Sequence, residues 1–132
     1  MEPTIHSGSL YVATRYTKPE DFSRGDIILF NHFDSTYVKR VIGLPGDTVS
    51  FEDGNVYING KRYEEDYLPA GTITDGTEGE YTVPEDCFFV LGDNRLYSYD
   101  SRLWEDPFVH YDDVEARGVW FVNIPWWSGR TE

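Results

Sequence analysis

Short apolar runs, none long, are separated along this chain by glycine, proline, Asp-Gly and Asn-Gly punctuation, the pattern of a protein made of many short strands. Ser9 to Arg15, with Leu10, Tyr11 and Val12, alternates enough to predict a strand, and Lys18 to Phe22 predicts a loop or one helical turn. Ile27 to Phe30 is a continuous apolar run, as a buried strand would be. Across the polar connection Asn31 to Thr36, the chain returns as Tyr37 to Gly43, and the two runs are expected to pair as a hairpin. Thr48 to Phe51, Val56 to Ile58 and Lys61 to Tyr63 are joined by Asp53-Gly54 and Asn59-Gly60. Those dipeptides favour two-residue hairpin turns, so a three-stranded meander is predicted. Glu64 to Asp86 carries eight of the 24 acidic residues and is expected to be a solvated loop, with a short strand over Glu80 to Val83. Cys87 to Leu91 predicts another buried strand, Gly92 to Arg102 a polar, turn-rich stretch, Glu105 to Asp113 an acidic irregular one, and Ala116 to Ile124 a last strand. The expected class is mostly β, organised as one domain over residues 1–132.

Within this pattern Tyr37-Val-Lys-Arg-Val-Ile-Gly-Leu-Pro-Gly-Asp47 stands apart, because two cations interrupt an apolar strand that Gly43, Pro45 and Gly46 then stop. Lys39 either points at water or has its charge paired or lost. Burial disfavours the ammonium form, and a lysine neutral near pH 7 is a general base. Position alone leaves both alternatives open.

Composition narrows the partners. Eleven basic residues against 24 acidic ones give a net charge of −13, so there is no basic face for nucleic acid and no electrostatic attraction to an anionic membrane. An aromatic content of 17% supports the strand-rich class. Cys87 is the sole cysteine, which precludes an intramolecular disulfide, and its place at the head of an apolar run suits a buried structural thiol better than a nucleophile. His6, His32 and His110 are scattered without ligand spacing, so no metal is expected. No cofactor motif is present, and no run reaches the length of a membrane-spanning helix.

Polar density beside apolar strands concentrates in Met1 to Thr4, in Lys39-Arg40, and in Gly92 to Arg102, which holds Asp93, Asn94, Arg95, Ser98, Asp100, Ser101 and Arg102. The last is either a hydrogen-bonded structural turn or the wall of a site. Met1-Glu-Pro-Thr-Ile5 with Gly8, the Tyr37 to Asp47 segment, and Gly92-Asp-Asn-Arg-x-x-Ser-x-Asp-Ser-Arg102 together resemble the core motifs of type I signal peptidases, in order and approximate spacing, over Met1 to about Ile124. The resemblance implies a fold of coiled antiparallel sheets with a small barrel-like core, any extra β subdomain being reduced to the meander and acidic loop. It implies a membrane-bound serine endopeptidase with a Ser/Lys dyad, at the extracytoplasmic face of the bacterial plasma membrane. Its substrates would be the signal peptides of secreted preproteins, cut after small residues.

Carried over by position, the resemblance makes Lys39 the general base and Ser98 the hydroxyl that orients its amine. Arg40, Asp93, Asp100 and Arg102 become an ion-pair scaffold behind the site. Met1, Ile5, Tyr37 and Val38 would line shallow substrate pockets, with Thr36 at their edge. Trp126 and Trp127 could rest at a bilayer interface or fold back on the core. In the family the nucleophilic serine immediately precedes the first-motif methionine, which here is Met1. The 132 residues are therefore expected to hold the base without its nucleophile or an N-terminal anchor, as a soluble catalytic domain that is inactive as it stands. Two alternatives share the scaffold. One is a self-cleaving Ser/Lys repressor-type domain, which would not be expected to carry the Gly92 to Arg102 motif; the other is a non-catalytic β module that lost the nucleophile.

Overall fold

A computed structural model describes residues 9–14, 19–76 and 79–123 of the chain. Ten strands follow one another: β1 (Ser9–Thr14), β2 (Ile27–His32), β3 (Ser35–Gly43), β4 (Thr48–Glu52), β5 (Asn55–Ile58), β6 (Lys61–Arg62), β7 (Glu80–Thr82), β8 (Cys87–Leu91), β9 (Phe108–His110) and β10 (Val114–Asn123). Single 3₁₀ turns at Pro19–Asp21 and Tyr111–Asp113 are the helical elements among the described residues. The mostly-β expectation holds, and every described strand pair is antiparallel.

The strands form a six-stranded sheet in the order β1-β10-β2-β3-β8-β9 and a four-stranded sheet in the order β6-β5-β4-β7. Neither closes on itself among the described strands, so the core is not enclosed by a barrel. It consists of two apolar clusters divided by the β3–β8 pair. Side chains alternate across a strand. Phe88 and Val90 accordingly join Phe22, Ile28, Phe30, Val41, Trp104, Val109 and Val114 on one face. Cys87, Phe89 and Leu91 join Ile42, Val49, Val56, Ile58 and Val83 on the other. All five residues of β8 and the last five of β3 are buried; β8 accordingly reads as an unbroken apolar run, whereas β3 takes Lys39 and Arg40 into the interior with it. Phe30, Phe88 and Phe89 are fully buried; each such side chain stabilises the fold by roughly 1.5–3 kcal/mol relative to exposure.

The smaller sheet follows from its turns. Asp53 and Gly54 have φ of 51° and 79°, and Asn59 and Gly60 have φ of 53° and 82°, the paired positive angles of hairpins whose twist matches that of the flanking strands. Val49 faces Ile58 and Phe51 faces Val56 across β4–β5, and β7 adds to the far side of β4.

Two expectations need correction. Glu105 to Asp113 is not wholly irregular, because Phe108–His110 pairs with β8 as an edge strand. The Glu64 to Asp86 segment is not uniformly solvated: the Glu65 side chain is only 8% exposed, and Thr74 is buried.

Candidate active site

Lys39 lies in the middle of β3, opposite Ile28 of β2. Alternation puts it on the face of Tyr37 and Val41, toward the first apolar cluster. The residue is 7% exposed, so the water-facing alternative is excluded. Its Nζ donates to Ser98 Oγ at 3.1 Å and lies 5.9 Å from the centroid of the Tyr37 ring.

Ser98 is held by the loop that follows β8. Asn94 O accepts from the amides of Tyr97 and Ser98, at 3.0 and 2.8 Å, a one-turn coil that lifts Ser98 toward the strand. Gly92 is the floor beneath the pair. A Cβ placed there would lie 2.0 Å from Ser98 Oγ and 3.2 Å from Lys39 Nζ, so glycine is required by close approach.

Arg40 projects to the opposite face of β3 and forks onto Asp93, Nε to Oδ1 at 2.9 Å and Nη2 to Oδ2 at 2.7 Å, while Nη1 donates to Gly25 O. Both side chains of this pair are nearly inaccessible. The Tyr67 ring covers the guanidinium, its centroid 3.7 Å from Cζ. Asp100 is fully buried. It receives Arg102 Nε and Nη2, both at 2.8 Å, together with the amides of Gly92 and Arg102. Ser101 Oγ accepts from the Val90 amide of β8. Arg40, Asp93, Asp100 and Arg102 thus form ion pairs around the loop, and each carboxylate is matched by a planar, permanently charged fork.

The residues expected to line substrate pockets are spread more widely. Tyr37 is half-buried and stacks on Phe30, with centroids 5.8 Å apart, and against Trp104. Val38, on the opposite face of β3, is also half-buried. Thr36 is exposed and donates to Asn31 Oδ1. Met1, Ile5, Trp126 and Trp127 lie outside the described residues. A cavity of about 320 Å³ opens beside Ser98, with Leu96, Leu103 and Gly76 among its walls. Burial, with Asp106 and Asp86 nearby, pushes the Cys87 thiol up, as suits a neutral structural thiol.

Sequence reasoning missed Arg95 as more than a member of the motif, and missed Glu65, Tyr67 and Thr74 altogether. Arg95 Nη1 and Nη2 grip the two oxygens of Glu65 at 2.9 and 2.5 Å, Nη1 also donates to Thr74 Oγ1 at 3.0 Å, and Nε donates to Gly92 O at 2.9 Å. Tyr67 donates its hydroxyl to Glu65. Burial and then the Glu65 charge drive the Tyr67 hydroxyl well above the usual phenol range, keeping it a donor. Arg95 was visible only as one polar residue of the Gly92 to Arg102 motif; its carboxylate 30 residues away was not visible at all.

Comparison with known proteins converges. A family model described as signal peptidase, peptidase S26, matches residues 1–126. The signal peptidase I of Bacillus amyloliquefaciens is 45% identical over 112 residues, 77% of this chain and 60% of that protein. A probable signal peptidase I-2 of Synechocystis sp. is 40% identical over 135 residues, 95% of this chain and 60% of that protein. The chain therefore spans about 60% of the length of these relatives. The crystal structure of a signal peptidase I from Enterococcus faecalis superposes with a TM-score of 0.59 at 35% identity, covering 78% of this chain and 97% of that one. On motif order, fold and these matches, the chain belongs to the signal peptidase family, peptidase S26.

Proposed function

We propose that this chain is the catalytic part of a signal peptidase I, in which Lys39 is the general base and Ser98 positions its amine. The observation that carries the reading is the 3.1 Å hydrogen bond between Lys39 Nζ and Ser98 Oγ on a buried strand. The nucleophile is a serine immediately N-terminal to Met1. Its hydroxyl oxygen attacks the scissile carbonyl carbon while its proton passes to Lys39 Nζ. The ammonium so formed protonates the leaving amine as the peptide bond breaks, and Lys39 Nζ, neutral again, takes a proton from the water that hydrolyses the acyl-enzyme and frees the serine. To be a base at neutral pH the lysine must titrate roughly three units below its ordinary value, about 4 kcal/mol of differential stabilisation. Burial of Lys39 on the face of the first apolar cluster acts in that direction, because it disfavours the ammonium. Arg40–Asp93 and Arg102–Asp100 brace the loop that carries Ser98. Met1, Ile5, Thr36, Tyr37 and Val38 contact the small residues before the cut. The substrates are signal peptides of secreted preproteins, and the setting is the outer face of a bacterial plasma membrane, reached through an upstream anchor and, at the other end, Trp126 and Trp127. No described helix is long and apolar enough to cross a membrane.

The test is a chain extended at its N-terminus by a serine and a short upstream segment, assayed on a signal-peptide substrate. Cleavage is expected there, none in the 132 residues alone, and a loss of at least 10²-fold in kcat on Lys39→Ala. A folded, serine-extended chain that does not cleave overturns the proposal, as does unchanged cleavage by Lys39→Ala. Cleavage by the 132 residues alone would place the nucleophile elsewhere.

A further inference from the structure

The segment between β6 and β7 reaches the site through a single arginine. Arg95 has no accessible side-chain surface, and its donors are divided between two tasks. Nε holds the carbonyl of Gly92, the residue whose missing side chain makes room for Lys39 Nζ and Ser98 Oγ. Nη1 and Nη2 are held in turn by Glu65 and Thr74. Tyr67 closes the arrangement from above, its hydroxyl on Glu65 and its ring on the Arg40 guanidinium.

From this connected set we infer that Glu65, Tyr67 and Arg95 are positioning residues for the Lys39–Ser98 pair, acting through the Gly92 carbonyl. The inference rests on the function proposed above. A planar guanidinium spans one backbone carbonyl, one carboxylate and one hydroxyl at fixed angles; a lysine ammonium cannot. If the grip slackens, Gly92 moves and the floor under the pair opens. Misplacement of a catalytic group by about 1 Å costs on the order of 100-fold in rate, whereas substrate contacts elsewhere are untouched. The set therefore affects kcat and spares KM.

Arg95→Lys and Tyr67→Phe test this without altering the charge around Lys39, where Arg40 lies on its own strand and Asp93, Arg95, Asp100 and Arg102 lie on the loop. The comparison variant is Arg24→Lys, in the forked Arg24–Asp47 pair that braces a different turn. In the serine-extended chain, Arg95→Lys is expected to lower kcat by about 10- to 100-fold, with KM changed less than about threefold. Tyr67→Phe, which keeps the ring on Arg40, should show a smaller loss of the same kind. Arg24→Lys should lower Tm while leaving kcat and KM alone. In parallel, ¹³C-methylene NMR of the 132-residue chain follows the titration of Lys39, whose midpoint is expected to rise in Arg95→Lys as water gains access. If Arg95→Lys and Tyr67→Phe lose only Tm, as Arg24→Lys does, with kcat and the Lys39 midpoint unchanged, the inference is wrong. If the unmutated serine-extended chain fails to cleave, the proposed function falls, and the Lys39 midpoint alone decides the positioning role.

Discussion

At the scale of single residues the site depends on what is absent as much as on what is present. Gly92 is not at positive φ and is needed for its lack of a side chain, since a Cβ would fall 2.6 Å from Ser98 Cβ as well as against its hydroxyl. Gly92→Ala should therefore cost about 1–3 kcal/mol in urea unfolding, the usual range for overpacking. It should also abolish most activity of the serine-extended chain, because Ser98 must leave Lys39 to relieve the clash. The charged residues behave differently. Asp93 and Asp100 were identifiable in the sequence as scaffold candidates because they sit in a long motif, and each meets a nearby arginine fork. Glu65 was not identifiable, because a glutamate in an acidic stretch is ordinarily solvated. What buries it is Arg95, a tertiary partner that no local pattern encodes.

At the scale of elements, hydrophobic run and turn chemistry carried most of the strand assignments. The Asp-Gly and Asn-Gly dipeptides determined β4, β5 and β6 because they favour positive φ. Strand β9 was illegible for the opposite reason: three residues flanked by acidic chain have no intrinsic pattern, and pairing of Cys87 with His110 and Phe89 with Phe108 creates the strand. The turn after β3 shows how an ion pair braces an element. Asp47 accepts from both nitrogens of the Arg24 fork, from the Leu44 amide and from Asn59. Burial alone would raise its carboxyl, but the Arg24 fork and the Leu44 and Asn59 donors outweigh it and hold Asp47 below the usual carboxylate range. A lowered folded value stabilises the protein at pH above the ordinary value and is lost as pH falls through the folded one. Asp47→Asn should accordingly cost about 1–2 kcal/mol at pH 7. The gap to the unmutated chain should hold down to about pH 5 and shrink below about pH 4, as followed by urea unfolding across that range.

For the whole molecule, charge and topology pull in different directions. A net charge of −13 on 132 residues repels itself in the compact state, while the buried arginine forks are shielded from salt. Raising NaCl from about 10 mM to 300 mM should thus increase Tm, by about 2–5 °C for a chain this size; a fall would mean that exposed ion pairs outweigh the repulsion. The architecture was legible as a class but not as an arrangement. Nothing local to β3 or β8 indicated that the two would pair, since residues 44–86 and a second sheet intervene.

That pairing governs when the site comes into being. Lys39 lies before and Ser98 after the long connection from β3 to β8, and they meet only once Arg40 is opposite Leu91 and Val41 opposite Val90. The loop-closure entropy of such a distant contact must be overcome before its burial is gained, which places it late in assembly. A chain that has not yet reached that register carries Lys39 without the Ser98 hydroxyl beside it. The same wall that separates the two cores thus acts as a timer for the Lys39–Ser98 contact, which cannot form until the chain from β3 to the loop after β8 has folded.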